Sequence, residues 1–139
     1  MKHIKTFESA IENLEKKHNA ELSILRFSKI VIDIFKAEGK KIKFTQEETP
    51  HNYIAEYKLS LTEQRCIFRL FITLDYNIFI FMYSEFGWKE FREFIINFFK
   101  IRDDFYNKTI SLSSKELNIY SDEILEEWEL SRDTKKYNL

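Results

Sequence analysis

The stretch YIAEYKLSLTEQRCIFRLFITLDYNIFIFMY, residues 53–83, decides the fold. Tyr53, Ala55, Tyr57, Leu59 and Leu61 recur at every second position. Cys66, Phe68, Leu70, Ile72 and Leu74 do the same, and residues 78–83 form an unbroken apolar run. A period of two is the signature of a strand with one buried face. Thr62-Glu63-Gln64 and Asp75-Tyr76-Asn77 separate the runs and are short enough for hairpin connections. The stretch therefore predicts consecutive antiparallel strands.

Upstream, residues 41–46 predict a first strand with Ile42 and Phe44 facing inward, and residues 47–52, which hold the chain's one proline, predict a loop. Further upstream, Phe7, Ile11, Leu14, His18, Leu22 and Leu25 recur at three- and four-residue intervals and read as a helical stripe. Ser9 and Glu12 have capping-box spacing. Phe27, Ile30, Val31, Ile34 and Phe35 continue the helical pattern, and Gly39 is placed to end it. Residues 7–38 can form one helix or two with a bend near Asn19.

Downstream, Trp88, Phe91, Phe94, Ile95, Phe98, Phe99 and Phe105 mark a helix with a wide aromatic face. Residues 109–112 read as an extended link. Ser113 or Ser114 can cap a last helix striped by Leu117, Tyr120, Ile124 and Trp128, and the polar tail from about residue 132 is expected to fray. The expected fold is α+β: an N-terminal helix or helix pair, a four-stranded antiparallel meander, and two C-terminal helices packed on the sheet.

The 139 residues suit a single globular domain. Hydrophobic residues make up 44%, enough for a core without disulfides or metals. Two glycines and one proline leave little material for long linkers. A net charge of −1 favours no polyanionic partner. The single cysteine, Cys66, and the lack of an apolar leader point to a cytoplasmic protein, with no segment of membrane-spanning length.

Motifs for chemistry are missing. His3, His18 and His51 have no ligand-spaced neighbours, so no metal site is expected. Cys66 lies among apolar positions and reads as a buried, inert thiol. Acidic pairs such as Glu47-Glu48 and Asp103-Asp104 are sequence neighbours, whereas acid–base catalysis needs carboxyls converging from separate elements. Gly39 and Gly87 cannot build a glycine-rich phosphate cradle. No catalytic residue and no cofactor is predicted, and the chain is not expected to be an enzyme.

Two surfaces stand out. Between residues 116 and 131 lie six acids, Glu116, Asp122, Glu123, Glu126, Glu127 and Glu129, with no lysine or arginine among them. Like charges at i,i+4 repel, and a basic partner would relieve this. The second surface is the sheet face turned from the helices, where Lys58, Arg65, Arg69 and Phe71 mix cations with an aromatic ring. Such a face suits a protein partner, a second copy of the chain in a homodimer, or stacked single-stranded nucleic acid.

These features predict a small protein-binding module, an inhibitor or immunity-type protein that occludes a basic partner. A single-stranded nucleic-acid binder and a secretion-chaperone-like protein are the alternatives. The size and acidic helix are similar to those of immunity proteins of bacterial toxin systems, a likeness of type that no motif carries.

Overall fold

The computed structural model describes the backbone of residues 2–49, 52–62, 65–83, 88–102 and 108–137, and the side chains of these except 2–7 and 134–137. Helix α1 runs unbroken over Lys2–Ala37. Four strands follow, β1 (Lys43–Glu47), β2 (Tyr53–Thr62), β3 (Arg65–Thr73) and β4 (Ile78–Met82). Then come α2 (Lys89–Arg102), β5 (Thr109–Leu112) and α3 (Ser114–Tyr137). The strands form one antiparallel sheet in the order β1-β2-β3-β4-β5.

The α+β class stands, but the sheet has five strands rather than four. Residues 109–112 are a paired strand: Ile110 lies opposite Ile80 and Leu112 opposite Ile78, and both are buried. Helix α3 also continues to Tyr137, past the position where fraying was expected. Residues 2–37 make one helix, with no break at Asn19. Ser9 and Glu12 sit inside it, so their spacing marks no helix start. Phe105 lies outside the described residues.

Local chemistry explains where the elements end. Gly39 has φ +74°, and the chain closes α1 there with a Schellman pair: the Lys40 N–H donates to the Phe35 carbonyl at 2.9 Å and the Gly39 N–H to that of Lys36 at 3.0 Å. Ser113 and Glu116 form a capping box for α3, the Glu116 N–H donating to Ser113 Oγ at 3.1 Å and the Ser113 N–H to Glu116 Oε1 at 3.2 Å. The β3–β4 hairpin turns at Tyr76, which has φ 64°. The Asn77 N–H donates to Thr73 Oγ1 at 3.1 Å, fixing that turn.

The inner sheet face builds cross-strand rows such as Leu59–Phe68–Met82 and Tyr57–Leu70–Ile80–Ile110. Buried residues from all three helices join these rows in one cluster. Phe27 meets Phe68 edge-on at 5.5 Å between centroids, and Trp128 meets Phe91 at 5.4 Å.

Of the three register shifts between β2 and β3, two change which residues face inward. Tyr53 pairs with Thr73 but Ala55 with Ile72, so Ile54 is the extra residue of a bulge. Ile54 packs on the core, and Tyr53 meets Phe71 at a tilt with centroids 4.5 Å apart, on the outer face. In β3, Phe68 pairs with Leu59 and Cys66 with Ser60, so Ile67 is the extra residue there. Ile67, expected to face outward, is fully buried. Leu74, expected in the core, is exposed in the turn.

Candidate functional site

The six acids of α3 do not form a uniform field. Glu116 is consumed by the helix cap. Asp122 accepts from Arg26 of α1. Arg102, at the end of α2, reaches across to α3: its Nε donates to Glu123 at 2.7 Å, and one terminal nitrogen donates to Glu127. The guanidinium also lies 3.9 Å from the centroid of Phe98. Burial pulls the Arg102 guanidinium down, but its bond to Glu123 and the charge of Glu127 more than offset this and hold it above its ordinary value. The counter-charge expected from a partner is thus largely supplied within the chain, by residues remote in sequence. Glu126 and Glu129 remain exposed, with no ion pair among the described residues.

Glu129 takes part in a cleft of about 420 Å³ between the C-terminal part of α1 and α3. The floor is apolar, built by Ile34, Ala37, Leu125 and Trp128. Asp33, Glu38, Glu129, Arg132 and Asp133 form its walls. Arg132 is committed to Glu38 and Glu90, and it stacks over Trp128 at 5.0 Å from the ring centroid. Asp33, Glu129 and Asp133 have no ion pair among the described residues, so the cleft carries uncompensated negative charge over an apolar base.

The outer sheet face gathers a row of rings. Phe71 packs at a tilt against Tyr53 and lies 6.1 Å from Phe79 between centroids, while Phe81 meets Tyr83 at 4.9 Å. Phe71 is buried yet stands outside the core cluster. The Arg69 guanidinium lies 5.2 Å from the Phe71 centroid and donates to Glu56, whose side chain is only 4% exposed. Burial pulls Arg69 down, but hydrogen bonds to the Tyr83 hydroxyl and to Glu56 more than offset this and raise it. Lys58 pairs across the strands with Arg69, and Arg65 stands apart at the hairpin end opposite Thr62. Glu47 and Glu48 line the same shallow cleft as Lys58 and Arg69. The face is therefore a charge-compensated polar cluster beside aromatic rings.

Cys66 is half-buried and falls opposite Ser60, on the side of Lys58 and Arg69 rather than away from them. Burial pushes its thiol up to about 11, against the weaker pull of Lys58 and Arg69. His18 is exposed. The side chain of His3, and His51, Asp103 and Asp104, lie outside the described residues. Among the described residues, no group of three or more His, Cys, Asp or Glu side chains could hold a metal ion, and no helix is long and apolar enough to cross a membrane.

One surface is missing from the sequence reading. Ile11, Leu14, Leu22 and Leu25, which form the first apolar stripe of α1, are all exposed; Leu14 shows 67% of its surface. The buried face of α1 is instead set by Ala20, Ile24, Phe27, Val31 and Ile34. At 100° per residue the two sets lie on opposite sides of the helix. The signal was present in the sequence: two apolar stripes on one helix cannot both face a single core.

No family model matches the chain, and no similar protein is found among curated proteins or solved structures.

Proposed function

We propose that this chain is a small protein-binding module of the inhibitor or immunity type, and that its acid-walled cleft receives a basic side chain from the protein it occludes. The observation that carries this reading is the cleft between α1 and α3. Asp33, Glu129 and Asp133 have no ion pair among the described residues and stand around Ile34, Ala37, Leu125 and Trp128. A lysine or arginine has the matching anatomy, an apolar stem with a charged head. Trp128 is already held in place by Trp88, Phe91 and Phe94, so the floor is rigid before a partner arrives. The exposed row on α1 adds apolar surface of the kind interfaces cover. A reducing cytoplasmic setting fits the free thiol of Cys66.

A protein is favoured over single-stranded nucleic acid because the outer-face cation best placed beside a ring, Arg69, is engaged by Glu56. Phosphate binding draws most of its affinity from free cations. The test is affinity capture from the native host's lysate on immobilised wild-type protein and on a variant carrying Asp33→Lys and Glu129→Lys. The expected result is a protein with a basic surface, retained by the wild type and lost from the variant. Identical sets of captured proteins on both would contradict the reading.

A further inference from the structure

The end of α1 carries a second cleft of opposite character. It has a volume of about 630 Å³, and its apolar floor is made by Ile32 of α1, Ile42 just before β1, and Leu61 of β2. Lys36, Lys40, Lys41 and Lys43 surround that floor. None of these four lysines has an ion pair among the described residues, although the Lys40 ammonium lies 5.4 Å from the Trp88 centroid. Gly39, also on the wall, has open space where a side chain would stand.

We infer that this cleft binds an acidic segment of a partner protein, in extended form, through one or two aliphatic anchor residues. Three features specify that occupant. The four cations select negative charge. The floor is aliphatic, and aliphatic side chains fit it better than the flat bases of a nucleic acid, which need rings to stack on. Finally, β1 is an edge strand that pairs only with β2 among the described residues, which leaves its outer side as a place where a strand could add. Lys43 lies on that edge strand, with Lys40 and Lys41 just before it, and lysines so placed ordinarily repel the addition of another strand. An acidic strand removes that repulsion, and the edge becomes selective for it. The site is independent of the acid-walled cleft, which takes charge of the other sign.

The test uses a fluorescein-labelled peptide, Asp-Glu-Leu-Glu-Ile-Glu-Asp, titrated by anisotropy with the full chain. Saturable binding to the wild type is expected. It should weaken about tenfold in a Lys40→Glu, Lys41→Glu variant and about as much between low and high salt. A peptide with serine replacing leucine and isoleucine should bind at least about fivefold more weakly, the loss expected when buried aliphatic contacts are removed. Both lysines lie outside regular elements, so the variant is expected to fold, which circular dichroism checks. If the variant does not fold, the salt series and the serine peptide decide. Absence of binding, or equal binding by variant and wild type, overturns the inference. So does preferential binding of dodecanoate or oligothymidylate, which makes the site one for lipid or nucleic acid. Self-association that the lysine substitutions abolish also overturns it, by showing a second copy in the cleft.

Discussion

Replacing Arg102 with methionine tests whether the acids of α3 are held from within the chain. Methionine keeps much of the apolar stem and removes the guanidinium. The change deletes the hydrogen bonds to Glu123 and Glu127 and the cation over Phe98. Both glutamates are about 40% exposed, so solvent screening keeps each pair near ~0.5 kcal/mol. The stacked cation adds about 0.5 kcal/mol. Glu123 and Glu127, four residues apart, then repel each other by a few tenths of a kcal/mol, roughly. Arg102→Met should therefore cost about 1.5–2 kcal/mol in urea melts at low salt, and less at 1 M salt, to an extent set by screening. Adding Glu123→Gln and Glu127→Gln should recover part of the loss, because the repulsion disappears. Glu127→Lys alone should cost about 1 kcal/mol, since it faces Arg102, while Glu126→Lys should stay within about 0.5 kcal/mol. Equal effects of lysine at 126 and 127, or a loss under about 0.5 kcal/mol for Arg102→Met, would refute this division of the acids.

Further outcomes are expected from the core and the turns. Phe68→Ala and Trp128→Ala should each destabilise by ~3–5 kcal/mol in denaturant melts, because both side chains are buried among other rings. Gly39→Ala meets no neighbouring atom, so its cost of about 1 kcal/mol comes from the positive φ alone. Cys66 is raised from 9.0 to about 11, which leaves its thiolate roughly a hundredfold scarcer than an ordinary cysteine's near pH 8. Iodoacetamide should modify it correspondingly slowly, and the rate should climb until pH passes about 11. The sign follows from a folded value above the unfolded one: the protonated thiol favours the fold below pH 9.0, and that contribution is lost as pH rises through about 11.

The meander was legible because alternation is a local property of each strand. β5 was not, because Thr109–Leu112 alternates cleanly but over only four residues, too few to separate a strand from a link. The bulges at Ile54 and Ile67 reverse strand parity without any glycine to announce them, so simple alternation misplaces Tyr53, Ile67 and Cys66. On α1, the stripe from Ile11 to Leu25 has ideal helical spacing, yet Ala20, Ile24 and Phe27 supply the better-packed face. The acidic run on α3 was visible, but its counter-charges come from Arg26, 96 residues from Asp122, and from Arg102, 21 and 25 residues from Glu123 and Glu127. Sequence spacing within α3 cannot show them. Nor can it show that Asp33 of α1 joins Glu129 and Asp133 around one cleft.

The most direct test of the account is the association rate between this protein and the partner it captures, measured by stopped flow from about 10 mM to about 500 mM salt. The wild-type rate should fall steeply as salt rises. The rate for a variant with Asp33→Lys, Glu129→Lys and Asp133→Lys should begin at least about tenfold lower at low salt and change little. Equal rates for the two proteins across the salt range would contradict the claim that the acid-walled cleft receives a basic partner.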